Sequence, residues 1–210
     1  MQELIEVYKL DGTFIGTQDR DDFYTEAKKE FAQSGAISKK IKTIRVLLMN
    51  SRGRIYLQKR SELKKENSGL YDKTVGGHVI FNNTPELTVV KECAEELGFP
   101  ATIINNNEFE QAVKSIDLKI VGILKKIDHI DNFESTRLLN DGQSFVQPYI
   151  TDIYIGYYDG AIRFADGESS GVETFSISQL KNNIANQPGK FTEDLKYMVE
   201  KYSDVLVPLI

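Results

Sequence analysis

Cysteine is nearly missing from this chain. Its 210 residues include one, Cys93, so no internal disulfide can form and a reducing compartment fits. Histidine is scarce as well: His78 and His129 are the two, too few for a metal centre that needs three imidazoles. No apolar run approaches the roughly 20 residues that cross a bilayer. The start, Met1 to Glu6, lacks the basic-then-apolar order of a signal peptide, so the cytoplasm is the expected compartment. A positive balance is also lacking. With 26 Lys and Arg against 31 Asp and Glu, the formal net charge is −5, which argues against general nucleic-acid or anionic-membrane binding. A small phosphorylated ligand stays open, because local basic residues can hold one. Neither an internal repeat nor a low-complexity linker is visible. What remains is an ordinary globular composition, 40% hydrophobic and 27% charged, long enough for one sizeable core.

Taken in order, Leu4 to Tyr8 and Thr13 to Thr17 read as strands joined by an Asp11-Gly12 turn. Asp21 to Phe31 then reads as a helix, with Phe23, Ala27 and Phe31 four apart, ended by Gln33-Ser34-Gly35. This arm is expected to cover a sheet edge or a partner subunit, which leaves a homodimer open. Thr43 to Met49 is a buried-type strand and Arg54 to Arg60 an alternating one. Lys59, Arg60, Lys64 and Lys65 form a basic run. A short helix is expected after Asn105-Asn106-Asn107, a strand at Leu118 to Ile123, and a long loop at Asp128 to Gln143. Ile150 to Tyr158 and Gly171 to Phe175 read as strands, and Ile177 to Ile184 and Thr192 to Tyr202 as closing helices.

The stretch from Gly76 to Phe99 stands apart. It reads as a loop followed by a helix of about 13 residues, with Thr84 as cap, Pro85 at the first helical position and Gly98 as a left-handed stop. At about 100° per residue, Leu87, Val90, Ala94 and Leu97 share one arc with Cys93 on its shoulder, so Cys93 reads as core. Glu92, Glu95 and Glu96 share the opposite arc. Carboxylates at such spacing repel, and hard divalent cations such as Mg²⁺ or Mn²⁺ prefer their oxygens. An acidic arc on an arbitrary helix is more often a solvated face.

The same stretch resembles the Nudix box, Gly-x5-Glu-x7-Arg-Glu-U-x-Glu-Glu-x-Gly-U with U a bulky apolar residue. Counting from Gly77, the fixed positions hold Asn83, Lys91, Glu92, Cys93, Glu95, Glu96, Gly98 and Phe99. The three helix glutamates and both glycines match, while Asn83 and Lys91 replace Glu and Arg. Most of the chain, including Tyr158 to Arg163 and Gly189 to Thr192, is similar to the isopentenyl-diphosphate-isomerase-like branch of this superfamily. The isomerase itself needs a cysteine where Gly76 stands, and three metal-binding histidines.

The resemblance implies an α/β (α+β) fold, an α/β/α sandwich around a mixed β-sheet, with residues 1–36 as an N-terminal hairpin-plus-helix arm and 37–210 as the Nudix domain. It implies a metal-dependent hydrolase, a pyrophosphatase cleaving a diphosphate linkage in a nucleotide-derived substrate with Mg²⁺ or Mn²⁺. Glu92 and Glu96 are the expected metal ligands. Glu95 is a third ligand or an alternate base, and Glu168 is a loop candidate for the base. Arg60, Gly76, Gly77 and His78 are expected at the substrate. The alternative is a Nudix-fold nucleotide-binding or sensing module with little turnover.

Overall fold

Strands that are apolar on both sides need cover on both faces, and the computed structural model supplies it. It describes residues 3–163 and 169–210. In chain order its strands are β1 (Leu4–Lys9), β2 (Phe14–Asp19), β3 (Lys39–Met49), β4 (Arg54–Arg60), β5 (Tyr71–Asp72), β6 (Val75–His78), β7 (Ala101–Ile103), β8 (Gly122–Leu138), β9 (Ser144–Tyr157) and β10 (Ser169–Ser176). The helices are α1 (Arg20–Ser34), α2 (Pro85–Glu96), α3 (Asn106–Ser115), α4 (Ile177–Asn186) and α5 (Glu193–Tyr202). One mixed sheet runs β10-β4-β3-β9-β8-β7, with β1 and β6 also on β3, β2 on β1 and β5 on β4. β3 lies parallel to β9 and antiparallel to β6.

The period of two along β3 divides the core. Ile44, Val46 and Leu48 face a cluster that holds Val89, Cys93 and Leu97 from the α2 segment. Leu47 and Met49 face the other side, with Phe109 and Val113 of α3, Leu180 of α4, and Leu195 and Met198 of α5. Helices thus cover both faces of a mixed sheet, the α/β/α arrangement that the resemblance implied. The N-terminal hairpin extends the sheet through β1 on β3. A third cluster joins Phe23 and Ala27 of α1 to Ile41, Phe133 and Tyr149.

Three expectations need correction. The expected loop at 128–143 is mostly strand, because β8 runs to Leu138 and pairs with β9 through a long hairpin. Bulges between Lys126 and Asp128 and between Ile130 and Phe133 break the alternation that would have revealed it. The strand expected from Leu118 starts only at Gly122. On α2 the buried face is Thr88, Val89 and Cys93, followed by Leu97, whereas Leu87 is 45% exposed and Ala94 is exposed. The buried face is thus rotated from the arc of Leu87, Val90, Ala94 and Leu97, and its centre includes the polar Thr88.

Candidate active site

The α2 wall begins with local chemistry. The Thr84 hydroxyl accepts from Leu87 N at 3.1 Å, Pro85 opens the helix, and Gly98 stops it at φ 72°. Between those ends Thr88, Lys91, Glu92, Glu95 and Glu96 all line one cleft of about 720 Å³. Gly76 and Gly77, expected in a loop, belong instead to β6, paired with Arg45 and Ile44 of β3. Their lack of a side chain is used on both counts. A Cβ on Gly77 would collide with the Glu92 carboxylate, and one on Gly76 with the Lys73 chain. A side chain at either position would push the Glu92 carboxylate or the Lys73 chain out of its present place.

Below this wall lies a buried ionic floor. Arg45 meets Asp194 Oδ2 through Nε at 3.1 Å and Nη2 at 3.0 Å. Its Nη1 donates to the Thr43 and Thr151 hydroxyls at 2.7 and 2.6 Å, and its guanidinium lies 4.1 Å from the Phe133 ring centroid. Ser135 donates to Asp194 Oδ1 at 2.6 Å. Lys73 Nζ lies 3.1 Å from Asp72 Oδ1 and 3.6 Å from Asp194 Oδ2. Thr192 donates to Asp72 Oδ1 at 2.8 Å. Burial opposes the charge on both aspartates. Lys73, Arg60 and the Thr192 hydroxyl nevertheless hold Asp72 below the ordinary carboxylate range, and Arg45, Lys73 and Arg137 do the same for Asp194.

The cleft also gathers cations from across the fold: Arg20 of α1, Arg60 of β4, Lys64 and Lys65 from the following loop, Arg137 of β8, and Arg45 and Lys73 from the floor. Arg60 is held in place, its Nη2 donating to Glu66 O at 3.0 Å and its Nη1 lying 3.5 Å from Asp72. His78 Nε2 lies 2.6 Å from the Tyr24 hydroxyl of α1. Burial, joined by Arg137 and other cations, pushes the His78 pKa down to about 3.

Of the residues singled out from sequence, Glu92, Glu95, Glu96, Arg60, Gly76, Gly77 and His78 all border this cleft. So do Asn83 and Lys91, although no hydrogen bond joins those two among the described residues. Glu168 lies outside the described residues. Lys59 sits over the Tyr71 ring at 5.9 Å, and the cleft is lined without it. Cys93 is buried, and burial pushes its thiol up to about 12. Sequence reading missed Arg45, Lys73, Arg137, Tyr24 and Asp194. A signal existed for Arg45, the one charge in the run Thr43 to Met49, since a buried charge requires partners.

The NUDIX domain model matches residues 39–195, spanning α2, the ionic floor and most of the sheet. This chain belongs to the NUDIX family. Isopentenyl-diphosphate Delta-isomerase of Serratia proteamaculans is 24% identical over 193 residues, covering 91% of this chain and 87% of that protein. Among solved structures, DR0079 from Deinococcus radiodurans has a TM-score of 0.62 at 16% identity, covering 95% of this chain and 98% of that one. A bifunctional NMN adenylyltransferase/ADP ribose pyrophosphatase from Francisella tularensis, complexed with AMP and a manganese ion, has a TM-score of 0.52 at 16% identity. That match covers 89% of this chain and 47% of the other. These structures share the fold. Nudix proteins generally use divalent metals.

Proposed function

We propose that this Nudix protein is a hydrolase that cleaves a diphosphate linkage in a nucleotide or a nucleoside diphosphate conjugate, with Mg²⁺ or Mn²⁺ bound. The observation that carries the reading is one cleft in which the α2 glutamates meet cations from α1, β3, β4, β8 and the loops at Lys64-Lys65 and Lys73. Its volume, about 720 Å³, suits a small molecule of nucleotide size. The AMP in the Francisella protein supports a nucleotide-derived ligand.

The donor set fits such a metal. Glu92 and Glu96 stand one helical turn apart on the same cleft, and carboxylate oxygen is what a hard cation takes. Among the described residues no three His, Cys, Asp or Glu side chains converge on one point. Mg²⁺ tolerates this, because it is held by one or two carboxylates and completes its shell with water and substrate phosphate. When bound, the metal neutralises phosphate charge and makes water more acidic. The protein's own part is then clear. Arg60, Lys64 and Lys65 would bind phosphate oxygens, Glu92 and Glu96 would hold the metal, and Glu95 would accept the proton of the attacking water. The water oxygen bonds to phosphorus as the bridging P–O bond breaks, giving two phosphorylated products.

A screen of nucleoside diphosphate conjugates with each metal, following phosphate products, tests this reading. Product is expected from at least one conjugate, lost in Glu96→Gln. Isopentenyl and dimethylallyl diphosphate belong in the same screen. No interconversion is expected, since position 76 is glycine and Cys93 is buried in the core. Robust conversion would overturn the hydrolase reading. The second reading, a binding or sensing module, is favoured by the missing bond between Asn83 and Lys91. Calorimetric binding of a nucleotide with no product from any conjugate would select it.

A further inference from the structure

A chain of four hydrogen-bonded side chains links β8 and β9 to the cleft. Arg137 Nη2 donates to the Tyr149 hydroxyl at 3.0 Å, the Tyr149 and Tyr24 hydroxyls are 2.8 Å apart, and the Tyr24 hydroxyl is 2.6 Å from His78 Nε2. The ends of this chain set its direction. A guanidinium has only donors, so the Tyr149 oxygen accepts from Arg137 and its own proton is left for Tyr24. Tyr24 then gives its proton to His78 Nε2. In the reverse direction the Tyr149 proton would have no acceptor, on a residue with no exposed surface, and buried donors in native proteins are satisfied. Only the first direction uses each hydroxyl once as donor and once as acceptor.

The consequence falls on His78. A neutral imidazole whose Nε2 accepts carries its proton on Nδ1. Burial and the surrounding cations keep His78 neutral, and burial holds the Tyr24 hydroxyl protonated far above its ordinary range. His78 is half-buried and borders the cleft. Among the described residues nothing accepts from its Nδ1.

We propose that α1, through Tyr24, fixes His78 as a neutral Nδ1–H donor for an anionic oxygen of the ligand, a phosphate oxygen of a diphosphate. This rests on the phosphate-cleft reading above and extends it. The N-terminal arm becomes part of the site, Tyr24 is a positioning residue, and Nε2 of His78 is committed to protein rather than to a metal. A neutral donor suits this place, since it contacts phosphate without adding another charge to a cleft already crowded with cations.

Two histidines make the test direct. Long-range ¹H–¹⁵N spectra of the full chain, with His129→Gln to assign the pair, report which ring nitrogen of His78 carries the proton. The expected wild-type result is a protonated Nδ1 and a bare Nε2. A protonated Nε2 would overturn the proposal, and this measurement needs no variant at His78 or Tyr24. Inorganic diphosphate with Mg²⁺ is then titrated in. The Nδ1–H resonance should move, and Tyr24→Phe should weaken binding about tenfold, the worth of one hydrogen bond to a charged acceptor. Tyr149→Phe, which keeps the Tyr24 hydroxyl, should weaken it less and covers the case in which Tyr24→Phe does not fold. Diphosphate that binds both variants as it binds wild type, with the His78 resonance unmoved, would overturn the donor role. A wild type that binds no diphosphate would defeat the phosphate cleft and the donor role together, while the spectrum still decides the relay.

Discussion

Charge is handled in opposite ways at the floor of the cleft and along its α2 wall. In the floor Arg45 is 2% exposed and Asp194 4%, and the hydrogen bonds of both go to protein partners. On the wall Glu95 is exposed and Glu92 and Glu96 are half-buried, in a row where like charges repel by a few tenths of a kcal/mol per pair. The floor uses its charges to tie β3, Asp72-Lys73 and the start of α5 together. The wall keeps like charges side by side at a cost that a cation would offset. Charge therefore ties elements together where it is buried in the floor, and on the wall it stays in reach of the cleft.

The largest effect that sharpens this contrast is in the floor. Asp194→Ala leaves Arg45 and Lys73 buried beside a missing partner, and breaking a buried pair from one side costs roughly 3–5 kcal/mol. Glu95→Gln on the wall should change stability by less than about 0.5 kcal/mol, as exposed substitutions do. Urea unfolding measures both, and equal losses would erase the distinction. The floor also contributes to the acid limb. Asp72 and Asp194 have folded pKa values below the ordinary carboxylate range. The stability they contribute is fully present above the unfolded pKa of about 4 and is lost as pH falls below it toward the folded values. Asp72→Asn should flatten the loss of stability below about pH 4, and an unchanged slope would show that other groups control it.

Next in size is the wall's response to metal. A ligand that binds only the folded protein stabilises by about 2.7 kcal/mol at a hundred times its Kd. Mg²⁺ or Mn²⁺ should raise the thermal midpoint of wild type, and Glu96→Gln should remove most of that gain. A variant that responds as fully as wild type would take Glu96 out of the metal site.

The two regions also differ in how plainly the sequence announces them. Everything that shapes the wall lies within Thr84 to Gly98: cap, proline, glutamates at helical spacing and a left-handed stop, all readable locally. The floor is not local. Arg45 and Asp194 are 149 positions apart, and only the parallel pairing of β3 with β9 and the packing of α5 bring them together. Tyr24 and His78 are likewise separated by 54 positions, so the arm read as edge cover could not be seen entering the cleft. The β8–β9 hairpin was hidden for another reason. Two bulges, with the polar Asp128, His129 and Asp131 beside them, removed the period of two that marks a half-buried strand.

The smallest expected effect concerns Asn83 and Lys91, where the wall departs from the family pattern. Both border the cleft, yet no hydrogen bond joins them among the described residues. Glu and Arg at these places would make a charged, often bidentate pair, which fixes geometry better than an amide and an ammonium. Catalysis is sensitive to such placement, since an error of about 1 Å can cost 10²-fold in rate. Asn83→Glu with Lys91→Arg should therefore raise kcat by about threefold, well short of that limit because the glutamate wall is already formed. Asn83→Glu alone should help less, because Lys91 offers a point charge without the planar fork. Single-turnover rates on whichever conjugate the screen selects, at saturating metal, compare the three proteins. A double variant no faster than the single one would show that the loop before α2 is already fixed by other contacts. Turnover absent from all three, with nucleotide still bound, would mean that the loss of chemistry lies outside this pair and that the protein acts by binding.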